Sequence, residues 1–323
     1  MLRHTLLRGL SGLALLAIAG PAGAQLSDGT AITLVMPYPP GGLGDFLARL
    51  VAKKMAEQSG ISVVVENRAG ANGAIGAAAV AQARPDGRTL LCVPASTLTT
   101  NPWLMKGIGY DPLRDFTPLA RILEFPNVLM VNPDFPARTV QELIDIARRK
   151  PGSVNYGSVG VGSSTHLQAE MFKRAAGIDI VNITYRGSSP ALQDLMAGQV
   201  QMMFDNLPSA FPLLQAGKLR ALAVTSAQPS AALPDVPTLA SVLPGFVDVT
   251  WWAILGPAGM PSDTAAKLSE ILQRIAREPD FVKALTDRGG VIVGGGPDNL
   301  RAAMQAEAEK TGKLIKELGI SAQ

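Results

Sequence analysis

The chain alternates short apolar runs with longer segments in which apolar residues recur at helical spacing. The run Ile32–Met36 is mostly apolar and β-branched, and apolar side chains then recur every three or four residues over 46–55. Two further runs, at 62–65 and 89–93, flank an alanine-rich segment at 74–83. This order of strand, helix, strand, helix and strand predicts a parallel sheet with helices on its faces.

A second series of elements begins near residue 127. Thr139 and Glu142 form a T-x-x-E capping box, which predicts a helix that ends before the Pro-Gly pair at 151–152. The other elements follow from the same two periodicities: strands at 127–131, 154–158, 181–185, 200–204, 219–225 and 251–255, and helices at 165–175, 189–197, 262–277 and 298–318.

The two series each span about 100 residues, which predicts two lobes. The last two helices follow the second series, so we expect them to return to the first lobe. The predicted first lobe is discontinuous and comprises 25–124 and 250–323, and the second lobe comprises 125–249. Crossover strands near 124–131 and 247–255 would join the lobes, with a ligand cleft between them.

The first 24 residues have the layout of a secretory signal peptide. Arg3 and Arg8 form a basic start, residues 9–20 are apolar, and Ala22-Gly23-Ala24 is an A-x-A cleavage site. The apolar stretch is shorter than the ~20 residues of a membrane span. The sequence therefore predicts cleavage after Ala24 and, for a bacterial protein, a periplasmic location.

Composition and charge exclude several classes of protein. The chain has 323 residues, and after loss of the leader 27 Lys and Arg stand against 26 Asp and Glu. No dense basic tract remains to favour nucleic-acid binding. A single cysteine, Cys92, and the histidines His4 and His166 are too few for a disulfide scaffold or a Cys/His zinc site. We therefore expect no metal and no cofactor.

Two glycine-rich turns between a strand and a helix are the strongest candidates for a binding site. The first spans 37–45 and the second spans 156–166. Glycine lets backbone N–H groups approach a ligand closely, and each turn leads into a helix N-terminus with unpaired donors. Neither turn contains Lys or Arg. Neutral donors of this kind favour a carboxylate over a phosphate.

Other polar and aromatic residues near these turns have two possible roles each. Asp45 either complements the helix dipole or meets a cationic group on the ligand. The hydroxyls at 163–165 either cap the helix or contact the ligand, and His166 is better suited to capping or a hinge than to catalysis. Asp205 either faces the cleft or is a surface-loop acid. The pair Trp251-Trp252 packs at the hinge or lines the ligand site.

The whole pattern resembles a known family. The resemblance rests on five segments that occur in order: MPYPPGGLGDFLARLVA (36–52), VVVENRAGANGAIGAAAVAQARPDGRTLL (63–91), YGSVGVGSSTHLQAEMF (156–172), ITYRGSSPALQDLMAGQVQMMFDN (183–206) and LRALAVTSAQPSAALPDVPTLA (219–240). Together they are similar to the Bug-type receptors, which are the extracytoplasmic solute-binding proteins of tripartite tricarboxylate transporters.

The resemblance implies an α/β fold of the two-lobed periplasmic-binding-protein type, a type II-like Venus flytrap with two mainly parallel sheets flanked by helices. It also implies carboxylate capture between the lobes by the two glycine-rich turns, the stretch after the third strand and the turn at 185–187. With Asp205 added from the residue pattern, the expected ligand-binding residues are Tyr38, Pro40, Gly41, Gly42, Ser96, Thr97, Ser158, Gly160, Gly162, Ser163, Ser164, Thr165, Arg186, Gly187 and Asp205.

The expected partners follow from the same resemblance. A monomeric receptor would deliver its carboxylate to a membrane permease with a large and a small subunit. An alternative is a co-receptor that presents its closed form to a membrane sensor kinase. A secreted hydrolase is a third reading, but it requires a nucleophile–base pair, and His166 is the only histidine after the leader. The sequence leaves the ligand open among dicarboxylates, tricarboxylates, aromatic acids and acidic amino acids.

Overall fold

The computed structural model describes residues 30–320, and these form ten strands and eleven α-helices. The strands are β1 Ile32–Met36, β2 Val63–Asn67, β3 Thr89–Pro94, β4 Phe116–Val131, β5 Val154–Ser158, β6 Ile180–Thr184, β7 Met202–Asn206, β8 Arg220–Val224, β9 Val249–Pro257 and β10 Val291–Gly295. The helices are α1 Leu43–Ser59, α2 Ala74–Ala81, α3 Ala95–Thr99, α4 Asn101–Leu104, α5 Val140–Arg149, α6 Ser164–Ala176, α7 Ser188–Met196, α8 Leu207–Gln215, α9 Ser262–Ile275, α10 Pro279–Thr286 and α11 Pro297–Leu318. The predicted signal peptide lies outside the described residues.

The strands follow the order β2-β1-β3-β9-β4-β7-β5-β6, with β10 and β8 also paired to β4. Strand β4 belongs to two sheets: Phe116 to Pro126 pair with β9, and Asn127 to Val131 pair with β7. The pairings β1–β2, β1–β3, β5–β6 and β5–β7 are parallel, and all pairings made by β4 and β9 are antiparallel. The two-lobed α/β fold class is confirmed, with sheets that are mixed where the crossover strands join them.

Each sheet has its own hydrophobic core. In the first, Leu47, Val51 and Met55 of α1 are fully buried against Leu34 of β1. In the second, α5 begins as the capping box predicts, because Thr139 Oγ1 accepts from the N–H of Glu142 at 3.1 Å. The strands therefore end at fixed positions, and the turns that follow them are held by packed helices.

Several short elements escape the hydrophobic pattern. Helix α8 carries Pro208 in its first turn and Pro212 inside, and these prolines hide its periodicity. Helices α3 and α4 follow β3 with a single residue between them, and β10 pairs with β4 over only a few residues. Within the described residues, no helix is long and apolar enough to span a membrane.

Candidate functional site

Three turns at the carboxyl ends of strands meet around a small cavity of about 60 Å³. They are the turns β1–α1, β5–α6 and β6–α7, and the cavity floor includes Trp252 of β9. The residues that line it are Tyr38, Pro39, Pro40, Gly42, Leu43, Gly44, Asp45, Pro94, Ser96, Val159, Ser163, Ser164, Gly187, Ser188, Ser189, Pro190, Asn206, Thr250 and Trp252. None of these is a lysine or arginine, so any bound anion meets neutral donors.

Asp45 shapes the first turn from within. Its Oδ2 accepts from the backbone N–H of Gly41 at 3.1 Å and from Arg49 Nε at 3.0 Å, and its Oδ1 accepts from Asn67 Nδ2 at 3.1 Å. Burial opposes ionisation, but the bonds from Arg49, Gly41 and Asn67 outweigh it and hold the pKa of Asp45 below its ordinary value. The carboxylate therefore stays ionised and is paired with Arg49, and the Gly41 amide is already engaged.

Capping bonds organise the second turn. Ser163 Oγ accepts from the N–H of His166 at 3.3 Å and donates to the Gly160 carbonyl at 2.7 Å. Thr165 Oγ1 accepts from the N–H of Val159 at 3.0 Å. These hydroxyls therefore hold the loop in shape, as the capping alternative required. Ser164 makes no such bond within the described part of the chain, and it lines the cavity.

His166 helps to fold the same loop as a neutral ring. Its Nδ1 accepts from the N–H of Gly162 at 3.3 Å. Burial lowers the pKa of His166 because the imidazolium would lose its hydration, and only the neutral ring offers an acceptor nitrogen. The contact fixes the loop geometry and leaves no role for this histidine as a base toward the cavity.

The donors available to a ligand come from the first turns of three helices. Helices α1, α6 and α7 have 17, 13 and 9 residues, and their first N–H groups have no partner inside the helix. The N-caps of α1 and α7 are Gly42 and Gly187, which offer no side-chain cap. Trp252 Nε1 adds a buried donor without a hydrogen-bond partner among the described residues. Such donors form an anion site.

Tyr38 lines the cavity and is hydrogen-bonded to residues behind it. Its hydroxyl donates to Asn72 Oδ1 at 2.9 Å and lies 3.1 Å from Thr97 Oγ1. Burial raises the pKa of Tyr38 to about 12, so the phenol stays protonated. Asn72 has a φ of 48°, in the left-handed region that asparagine tolerates better than most non-glycine residues. The Tyr38 ring is therefore firmly placed.

The expected binding residues divide into three groups. Those that line the cavity are Tyr38, Pro40, Gly42, Ser96, Ser163, Ser164 and Gly187. Gly160 and Arg186 line an adjoining chamber. The other six line neither space: Thr97, Ser158, Gly162, Thr165 and Asp205 are buried, and Gly41 is exposed. Sequence reasoning missed Ser188 and Ser189, although Gly187 before a helix start carries the same signal as the two glycine-rich turns.

Asp205 is fully buried behind the third turn. Its Oδ1 accepts from Ser188 Oγ at 3.0 Å and from Asn206 Nδ2 at 3.2 Å. Burial raises the pKa of Asp205 to about 7, because the charged form loses its hydration. Ser188 and Asn206 both line the cavity, so Asp205 can position these two side chains toward a ligand.

The substitution Asp205→Asn should change how stability depends on pH. Between the ordinary aspartate pKa and about 7, the native state binds more protons than the unfolded state, so the free energy of unfolding falls as pH rises through this window. Asparagine removes this slope, so thermal melts from pH 5 to pH 8 should show the variant gaining stability relative to wild type. The exposed Asp235→Asn is the control, and parallel wild-type and Asp205→Asn curves would contradict the assignment.

Comparison with known proteins identifies the family of this chain. The sequence model of one protein family, the tripartite tricarboxylate transporter family receptor, matches residues 47–320 of this chain. The chain belongs to this receptor family. It is 38% identical to a UPF0065 protein from the tcbD-tcbE intergenic region of Pseudomonas sp. strain P51, over 98% of this chain and 95% of that one. It is 34% identical to BugT of Bordetella pertussis, over 94% and 93%.

Two solved receptors have the same fold and were determined with ligands. A protein of R. palustris with adipate is 36% identical, with a TM-score of 0.89, over 91% of this chain and 99% of that one. MatC from Rhodopseudomonas palustris with bound malate is 31% identical, with a TM-score of 0.84, over 88% and 98%. The expected Bug-type identity is confirmed. Receptors of this family are periplasmic solute-binding proteins rather than enzymes.

Proposed function

We propose that this protein captures a small organic carboxylate in the cavity between its lobes and delivers it to a membrane permease of the tripartite tricarboxylate type. The observation that carries the proposal is the convergence of α1, α6 and α7 N-termini on one cavity whose lining, among the described residues, has no lysine or arginine. Relatives with adipate and malate support the ligand class.

The proposed lobes divide where β4 changes sheets. Lobe 1 comprises residues up to 124 and from 250 onward, and lobe 2 comprises 125–249. The pairing of β4 with β9 ends at Pro126, and its pairing with β7 begins at Asn127. Helix α1 then belongs to lobe 1 and α6 and α7 to lobe 2, so the anion donors face each other across the cleft.

Closure would complete the site. A Cβ on Gly187 of lobe 2 would lie 3.5 Å from Pro39 of lobe 1, so the turns around the cavity are in contact. Leu104, Leu167 and Ile315 form a cluster that draws on both lobes. Because a ligand between the lobes gains both sets of donors only in this arrangement, it stabilises the closed state by its differential affinity.

A polar link near the hinge supports the same arrangement. Lys310 Nζ of α11 lies 2.6 Å from Asp248 Oδ1, and Asp248 Oδ2 accepts from Gln168 Nε2 of α6 at 2.6 Å. Gln168 also accepts from Asn127 Nδ2 at 2.6 Å. This chain of contacts connects a lobe 1 helix to the lobe 2 helix whose N-terminus faces the cavity, beside the start of β9.

Thermal melting in the presence of organic acids tests the proposed function. The purified mature protein should show a melting temperature that rises with the concentration of its ligand, because only the native state binds. The screen should cover mono-, di- and tricarboxylates, aromatic acids and acidic amino acids, with sulfate and phosphate as inorganic controls. A protein indifferent to every organic acid, in both melting and calorimetry, would refute carboxylate capture.

A further inference from the structure

The cleft contains a second chamber next to the first cavity. It measures about 680 Å³ and shares Tyr38, Pro39 and Val159 with the cavity as common walls. The residues that line it are Tyr38, Pro39, Ala69, Gly70, Ala71, Asn72, Gly73, Met105, Val159, Gly160, Val161, Thr184, Tyr185 and Arg186. The three shared residues form the boundary between the two spaces.

The sizes of the two spaces limit how a ligand can lie. An engineered apolar cavity of about 150 Å³ accepts benzene, a six-carbon ring. The inner cavity, at about 60 Å³, therefore has room for a carboxylate head and a few atoms. The remainder of a longer acid must extend past Tyr38 and Pro39 into the outer chamber, which is large enough to hold it.

Arg186 is the charged residue of that outer chamber. Its side chain is exposed, and it makes no hydrogen bond or ion pair with any residue from 30 to 320. No acid lines the chamber beside it. It directly precedes Gly187, which caps α7 at the inner cavity. One turn of lobe 2 thus presents neutral donors to the inner cavity and a free guanidinium to the outer chamber.

We propose that Arg186 forms a second anion subsite, which selects elongated acids with a carboxylate at each end. This inference rests on the proposed function, since the first carboxylate occupies the inner cavity. The chain between the carboxylates passes Tyr38 and Val159, whose apolar surfaces suit methylene groups. Arg186 binds the distal carboxylate through a charge-assisted hydrogen bond. A compact diacid is too short to reach it and binds as a monocarboxylate does.

Calorimetry with matched ligands tests this subsite. The ligands are linear dicarboxylates of four to eight carbons and the monomethyl ester of each, which keeps the length and removes one charge. Wild type should prefer the longer diacids to their esters. Arg186→Gln should weaken the longer diacids by about tenfold and change the esters by less than about twofold. Four-carbon diacids should respond as the esters do.

Arg149→Gln on α5 is the matched control, because it removes one exposed positive charge from the same lobe outside the cleft. It should leave every affinity unchanged. Equal weakening of diacids and esters by Arg186→Gln, an equal response of short and long diacids, or no response at all would each overturn the subsite. Wild type that binds the esters but shows no preference for diacids refutes the subsite alone, whereas wild type that binds none refutes the proposed function as well.

Discussion

Leucine in place of Gly162 should weaken carboxylate binding while leaving the protein folded. A Cβ at this position would lie 2.9 Å from Leu104 Cδ1 and 3.2 Å from Thr100 Cγ2, which belong to the proposed lobe 1. A lone methyl could be absorbed by rotation of Leu104, but a full leucine side chain has no space between these residues. It would act as a wedge, and overpacking of about 1–3 kcal/mol would weaken ligand binding by about 5- to 150-fold.

Gly177→Leu is the control that separates the wedge from backbone strain. Gly162 has a φ of 81° and Gly177 has a φ of 60°, so leucine is strained in the left-handed region at both positions. A Cβ on Gly177 meets no atom within 4 Å. Both variants should therefore lose comparable stability without ligand, and only Gly162→Leu should lose affinity, as measured by calorimetry. Equal affinities in the two variants would contradict the requirement for closure.

The sequence predicts the framework of this fold well because its main elements have unambiguous periodicities. Strand β1 has the predicted bounds Ile32–Met36, and the Thr139 cap starts α5 as the T-x-x-E motif requires. The prolines of α8 break its pattern, so that helix could not be found. The predicted strand at 127–131 covers only the last five residues of β4. The strand starts at Phe116, and its earlier part has a less regular apolar pattern.

The candidate site is harder to predict because proximity across the cleft is a tertiary property. The sequence predicts two helix N-termini with neutral donors, and these do line one cavity. It gives no sign that Asp45 would occupy the Gly41 amide, or that Ser158 would donate to Asn182 at 2.8 Å behind the wall. Hydroxyls and amides near a ligand resemble those that only shape the loop, until their partners are known.

Alanine in place of Gly44 should destabilise the protein, although alanine normally favours a helix over glycine by about 1 kcal/mol. Gly44 lies in the first turn of α1, where a Cβ would overlap Trp252 Cη2 and lie 2.7 Å from Met36 Cε. Met36 can move, but the indole ring is rigid and buried in the core of the first sheet. Overpacking of about 1–3 kcal/mol should exceed the helix gain and lower the melting temperature. The displaced α1 N-terminus should also weaken carboxylate binding.

The reciprocal change Trp252→Phe tests this cause directly. Phenylalanine lacks the outer ring atoms that a Cβ on Gly44 would meet. The Trp252 Nε1 that it removes has no hydrogen-bond partner among residues 30–320. Trp252→Phe alone should cost stability by leaving a cavity. In the Gly44→Ala/Trp252→Phe double variant the new methyl fills part of that space. The free energy of unfolding of the double variant, measured in denaturant, should therefore fall by less than the sum of the two single-variant losses, with a difference of about 1 kcal/mol or more. Strict additivity would show that the close approach of α1 to Trp252 does not set the position of the first anion-binding turn.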